Sequence, residues 1–295
     1  MFPRSVRQGA KQLSKNRLLS TIYHETRLRR ENSIDGNPIL IFQMGKVGSS
    51  SILDSLKGLK LDRPIFHVHH LNPESIQKRE MLLREVFGSR YSVNRFCLYE
   101  GGFVMKHVLQ RRDQQLKIIS LVRDPVARNL SSFFHNLDIF IPDCIQSYRT
   151  GRIGVPEITS QYLQKFHEHT YPLSWFDDEM KYMFGIDVFS DENLYSRDDR
   201  VFVYRRDLLE ILVLRTEDIN DVAQEALQQF LEVEDFELKH ANVAEDKDYS
   251  RVYRDFRKHV KLPEEYLTRM YESKYAKHFY SPQEIERFHA YWSRP

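Results

Sequence analysis

Apolar residues along the chain fall into short continuous runs separated by longer helical repeats. The runs ILIF (39–42), PIFHVHHL (64–71) and KIISLV (117–122) predict strands. VFVYRRDLLEILVLR (201–215) holds two extended runs about a turn at Arg206-Asp207, and its second half predicts another buried strand. Between the runs, a period near 3.6 predicts helices over 48–59, from Pro73 to about Phe87, over 125–137 and over 217–233. Asp124 stands as an N-cap with Pro125 in the first helical position. Ser281-Pro282-Gln283-Glu284 predicts a capping box for a last helix. Strands alternating with helices predict an α/β fold with a mainly parallel sheet covered on both faces and a helical C-terminal part. Residues 138–200 are aromatic and irregular, and read as an insertion over the functional site.

Residues 1–36 form a polar, basic arm ending in the turn signals Asp35-Gly36 and Asn37-Pro38, and residues 37–295 form one domain. The arm reads as a solvated leader. The alternative is a partly ordered helix that touches a membrane surface or an acidic polymer. The 295 residues include 44 Lys and Arg against 42 Asp and Glu, a net charge of +2. That balance argues against a nucleic-acid partner, so any basic site is local. No apolar run reaches the roughly 20 residues of a membrane span, and the basic start has no apolar signal-peptide core. The expectation is a cytoplasmic protein without a transmembrane segment. Cys97 and Cys144 make neither a disulfide framework nor a zinc spacing.

The chemistry concentrates where the first strand runs into the first helix. The loop Gln43–Ser51 carries Gly45, Lys46, Val47, Gly48, Ser49, Ser50 and Ser51. Glycines let backbone approach a ligand, a helix start offers unpaired N–H groups, and lysine and serine add charge and donors. The composition suits phosphate or sulfate. An ordinary strand-to-helix turn with a serine cap is the plainer reading. The ATP-binding pattern G-x-x-x-x-G-K-[ST] is not met, because Lys46 precedes the second glycine. A magnesium-binding aspartate after a strand is also missing, since Asp124 reads as a helix cap.

A second stretch, KIISLVRDPVARNLSSFF, puts Arg123 at a strand end and Ser131 eight residues later on the following helix. With both stretches in view, the sequence resembles the nucleotide-dependent sulfotransferases. Their donor is 3′-phosphoadenosine 5′-phosphosulfate (PAPS). Their first loop, P-K-x-G-[ST]-[ST], is matched from Lys46 to Ser50 except for the leading proline, which is Gly45 here. Their second motif, R-x-P with a serine eight after the arginine, is matched by Arg123, Pro125 and Ser131. VRDPVARNLSSFF resembles the carbohydrate-sulfotransferase version. The tail SKYAKHFYSPQEIERFHAYW is similar to the end of bacterial capsular polysaccharide synthesis proteins. The close resemblance covers 39–59 and 117–137, and a weaker one runs from about 36 to 295. It implies a P-loop-NTPase-like three-layer α/β/α core. The loop 45–51 would bind PAPS with Arg123 and Ser131, and no metal would be needed.

Transfer to a hydroxyl needs a base, and histidine titrates in the right range. FHVHHL supplies His67, His69 and His70, and strand alternation puts His67 and His69 on one face and His70 on the other. His69 is the best placed, with His70 next. A metal-binding H-x-H pair and a packing role are the alternatives. Lys46 would supply charge to the leaving phosphate. Weaker candidates are Lys106 and His107, Glu217, Asn242 and Lys247, and the aromatic residues Tyr171, Trp175 and Phe176. The reading is sulfuryl transfer from PAPS to a hydroxyl, on a carbohydrate or polysaccharide. An ATP-dependent kinase and a non-catalytic glycan- or phosphate-binding relative are the rivals.

Overall fold

The computed structural model describes residues 17–31, 36–59, 61–88, 96–111, 113–198, 200–239 and 248–294. Six strands, β1 (Ile39–Phe42), β2 (Ile65–Val68), β3 (Leu116–Val122), β4 (Leu194–Arg197), β5 (Val201–Arg206) and β6 (Leu209–Arg215), form one sheet in the order β2-β1-β3-β6-β5-β4. The first four in that order run parallel. β5 lies antiparallel to β6 and β4. The two-residue link Asp207-Leu208 joins only antiparallel neighbours, which forces that switch of direction. β1 is buried at every position and β3 at all but its first, as their unbroken apolar runs require.

α1 (Arg17–Glu31) precedes the sheet, and α2 (Ser49–Gly58), α3 (Pro73–Phe87) and α4 (Phe96–Phe103) follow its first strands. α1 is docked rather than solvated: Leu28 is buried and His24 stacks on Tyr99 of α4 at 4.6 Å. After β3 come α5 (Pro125–His135), α6 (Leu137–Phe140), α7 (Cys144–Arg149), α8 (Val155–Lys165), α9 (Tyr171–Trp175) and α10 (Tyr182–Phe184). The stretch 138–200, irregular by sequence, is thus largely helical, with a π-helical turn at Phe176–Lys181. Apart from α8, its helices are short, so they show little periodicity. Packing holds them instead. Phe133 stacks on Phe140 at 5.1 Å and meets Tyr162 edge-on at 5.3 Å, within a second, all-helical core.

After β6, a 3₁₀ turn at Thr216–Asp218 leads into α11 (Ile219–Leu231), then α12 (Ser250–His259), α13 (Glu264–Tyr271), α14 (Lys274–Phe279) and α15 (Pro282–Trp292). Ser281 caps α15 in the expected box with Glu284. These C-terminal helices reach back to the end of β3. Asp124 caps α5 by accepting from the Val126 N–H at 3.0 Å. It also accepts from the Tyr271 hydroxyl and the Trp292 indole, each at 2.9 Å. The Tyr275 hydroxyl accepts from the Arg123 N–H at 3.0 Å and donates to the Arg123 carbonyl at 2.8 Å.

The chain leaves β1 towards β2 on one side and crosses back to β3 on the other. Such a reversal opens a crevice at the C-terminal ends of the two strands, where open α/β sheets place ligands. The loops after β1 and β3 meet there.

Asp124→Ala removes a cap worth about 1 kcal/mol. It also strands two buried donors, each costing about 1–3 kcal/mol. Urea unfolding of this variant will show a stability loss of about 3 kcal/mol or more.

Candidate functional site

The loop after β1 is built on two left-handed residues, Lys46 at φ 77° and Gly48 at φ 83°. Glycine takes that conformation freely. Lysine pays about 1–2 kcal/mol for it, so other contacts must hold the loop. Three do so, each from a different element. Arg128 Nε on α5 donates to the Gly45 carbonyl at 2.9 Å. Arg123 at the end of β3 donates to the Lys46 carbonyl at 3.1 Å. The Thr216 hydroxyl beyond β6 lies 2.7 Å from the Val47 carbonyl and 2.7 Å from that of Val122, sharing its proton between them.

Gly48 is the N-cap of α2 and provides no side-chain cap, so no serine closes the helix start. Ser49 turns inward instead, buried at 6% exposure. Its hydroxyl accepts from Gln43 Nε2 at 2.7 Å and donates to His67 Nε2 at 2.8 Å. Ser50 and Ser51 are half-buried in the first turn. The Ser51 N–H donates to the Gly48 carbonyl at 3.3 Å, and the start of the turn, with the positive end of the helix dipole, has no side-chain cap, an arrangement suited to an anion.

The two adjacent histidines face opposite ways. His69 Nδ1 donates to the Gln43 carbonyl at 2.9 Å, which leaves Nε2 as the bare nitrogen. That nitrogen faces Gly45: a Cβ added there would lie 4.0 Å from it. Burial and the neighbouring His67 push the His69 pKa down to about 3. Burial and Lys57 push His67 to about 4. Both imidazoles are therefore neutral at pH 7.

His70 is buried and turned to the other side. Its Nδ1 meets Glu179 Oε1 at 2.9 Å and its Nε2 lies 3.4 Å from the Tyr171 hydroxyl. The other Glu179 oxygen accepts the N–H groups of Leu71 and Asn72, each at 2.9 Å. His70 and Glu179 line a cavity of about 190 Å³ with Lys78, Arg79, Glu168 and Tyr171. Arg128 links the loop to two residues of the cavity lining, Tyr171 and Glu168. It is 2% exposed, its guanidinium lies 4.5 Å from the Tyr171 ring centre, and it approaches Glu168 at 3.6 Å. Burial lowers its pKa to about 10, so it stays a cation at neutral pH.

α4 fixes the strand that carries the histidines. The Glu100 carboxylate accepts the outward-facing His67 N–H at 2.7 Å, and Gly101 abuts the His70 carbonyl so closely that a Cβ there would lie 2.3 Å from it.

The other predicted residues divide. Arg123 stands beside the loop, whereas half-buried Ser131 lies on α5 with no hydrogen bond to the loop. Glu217 does orient a loop: its carboxylate accepts the Asp124 N–H at 2.8 Å and the Tyr280 hydroxyl at 3.0 Å. Tyr171 and Trp175 line the cavity, Trp175 from within the core, and Phe176 belongs to the core alone. Lys106 pairs with Glu25 at 3.4 Å, and His107 lies near Arg29, both away from the crevice. Asn242 and Lys247 lie outside the described residues. Arg128, Thr216 and Glu179 were not anticipated. A polar residue directly after the apolar run of β6 was the signal for Thr216, and five residues from Arg123 was the signal for Arg128.

The NKWYS family model, described as "Putative capsular polysaccharide synthesis protein", matches residues 157–281, less than half of the chain. No curated protein and no solved structure matches the chain. Among the described residues no helix is long and apolar enough to cross a membrane.

The depressed histidines set an acid limit. His67 and His69, with His169 and His278 (both lowered to about 4 by burial), are neutral when folded but free to protonate near pH 6.5 when unfolded. The unfolded state therefore binds more protons below pH 6.5, and the stability present above it is lost as pH falls towards 3. Urea midpoints will drop across that window, and His69→Asn, whose amide keeps the bond to the Gln43 carbonyl, will make the drop shallower.

Proposed function

We propose that the chain transfers a sulfuryl group from PAPS to a hydroxyl of a carbohydrate, on a P-loop-like core. One observation carries the reading: the loop that ends in an uncapped helix start at Gly48 has a bare, neutral imidazole nitrogen beside its Gly45. Anion binding and proton acceptance, the two requirements of sulfuryl transfer to an alcohol, are thus side by side. The motif resemblance supports PAPS over other anions. The capsular polysaccharide model over 157–281 supports a carbohydrate acceptor.

The residues divide the work. The backbone from Gly45 to Ser51 holds the phosphosulfate, and Lys46 offsets charge on the leaving phosphate. Arg123 and Ser131 bind the 3′-phosphate. His69 Nε2 accepts the acceptor's proton as the new O–S bond forms and the bond from sulfur to the bridging oxygen breaks. The products are a sulfate ester and 3′,5′-adenosine bisphosphate (PAP). His69 is neutral before each turnover, but a pKa of about 3 lies below the range expected of a histidine base, so the bound anionic donor must raise it for His69 to take the proton. His70, with both ring nitrogens engaged, orients the acceptor side.

Two measurements test this. With EDTA present, PAP will raise the melting temperature, since a ligand at about 100 times its Kd stabilises by about 2.7 kcal/mol. Stabilisation by ATP only with magnesium, and none by PAP, would sink the proposal in favour of a kinase. His69→Asn will abolish turnover and leave PAP binding within about twofold, as expected of a group that acts only in the transition state. Retained turnover in that variant, with loss in His70→Asn, moves the base by one residue.

A further inference from the structure

α12 carries a row of cations that the fold itself does not use. Its buried face is Val252, Tyr253 and Phe256. Its exposed face carries Arg251, Arg254, Arg257 and Lys258, and Lys261 follows just beyond its end. Among the described residues, none of these five makes an ion pair. Arg257 has only ring contacts, 5.7 Å from the centre of Tyr291 and 5.8 Å from that of Tyr253. Arg294 lies over the other aromatic contact, 4.1 Å from the Tyr291 ring centre.

Local physics does not account for the row. Residues three and four apart on a helix are neighbours, so Arg251–Arg254, Arg254–Arg257 and Arg254–Lys258 are repulsive like-charge pairs, and the half-buried Asp255, which accepts from Tyr148, is the one opposite charge on the helix beside Arg251 and Lys258. The helix dipole favours Arg257 and Lys258 in the last turn but disfavours Arg251 in the first, where no acidic residue stands. The seven steps from Arg251 to Lys258 span about 10 Å along the axis, close to the Debye length at physiological salt. The charges therefore act together.

We propose that this face of α12 binds an anionic polysaccharide. The row fits a chain with carboxylate groups repeated along its length, and Arg294, held over the Tyr291 ring that Arg257 also approaches, adds a further cation beside it. α12 also lies inside the stretch matched by the capsular polysaccharide model. A lipid surface fits less well, because the exposed large apolar residues Ile22, Tyr23, Met81, Tyr182, Tyr195 and Leu208 all lie on other elements. The inference goes beyond the proposed transfer reaction and does not depend on it.

The test uses the full chain and the variant Arg251→Glu/Arg254→Glu/Lys258→Glu, with fluorescent polygalacturonate as probe. Dextran of equal length is the neutral control, and phosphatidylserine-containing vesicles test the lipid alternative. Wild type will bind polygalacturonate with an affinity that falls steeply with salt, and will not bind dextran. The variant will lose at least tenfold in affinity, with unchanged melting temperature and unchanged stabilisation by PAP. The milder Arg251→Gln/Arg254→Gln keeps the test available if the reversal disturbs folding, and will lose affinity in the same direction. Equal affinity of wild type and variants, binding of dextran as tight as polygalacturonate, or tighter binding to vesicles than to polygalacturonate overturns the proposal. Loss of PAP stabilisation by wild type would overturn the transfer reading alone.

Discussion

The site depends on the direction of three successive carbonyls. Gly45, Lys46 and Val47 each have their oxygen held from behind, by Arg128, Arg123 and Thr216 respectively. A trans peptide carries its N–H opposite its C=O. Pinning these oxygens therefore turns the N–H groups of Lys46, Val47 and Gly48 the other way, towards the crevice. The pins also offset the left-handed conformation of Lys46, which would otherwise relax. Under the proposed function this support would keep the loop ordered before an anion arrives, because ordering it at the moment of binding would cost affinity.

Each pin needs its own anchor, and that explains the C-terminal half of the chain. Arg123 and Asp124 are held by Tyr275, Tyr271, Trp292 and Glu217, and Glu217 is held in turn by Tyr280. Arg128 is enclosed by Tyr171 and approached by Glu168. All of these except Trp292 fall within residues 157–281, the span of the capsular polysaccharide model. The model match thus covers the frame behind the loop rather than the loop itself. This frame also explains why a helical region follows a sheet that already supplies the strand ends.

The strands and the longer helices were legible because their signals are local. ILIF and KIISLV are continuous apolar runs, and α5 and α15 announce themselves through Asp124-Pro125 and Ser281-Pro282. The loop and the three histidines were legible for the same reason. What stayed hidden is held by contacts distant in sequence. Glu179 lies 109 residues from His70, and Thr216 lies 169 residues from Val47. Nothing near Glu179 separates it from the acidic run Asp177-Asp178-Glu179 on what looks like a solvated turn. Apart from the eleven-residue α8, the helices of 138–200 escaped because three to six residues show no period, and their packing, as of Phe166 on Phe133, is what the sequence does not display. β4 escaped because LYSR, an exposed edge strand, has no apolar alternation.

The distribution of cations follows the same division between frame and surface. Where a cation is buried, the fold consumes it. Arg128 donates to a loop carbonyl, Arg215 pairs with Asp218 and Glu284, and Lys117 reaches the Phe230 carbonyl and Glu232. Each has lost its water and must be repaid by a fixed partner. The cations of α12 keep their water and face no such demand, so a net charge of only +2 still permits a concentrated positive face. Near-neutral overall charge prevents the whole chain from attracting polyanions at random. Long-range attraction then depends on where cations are gathered locally, as on α12.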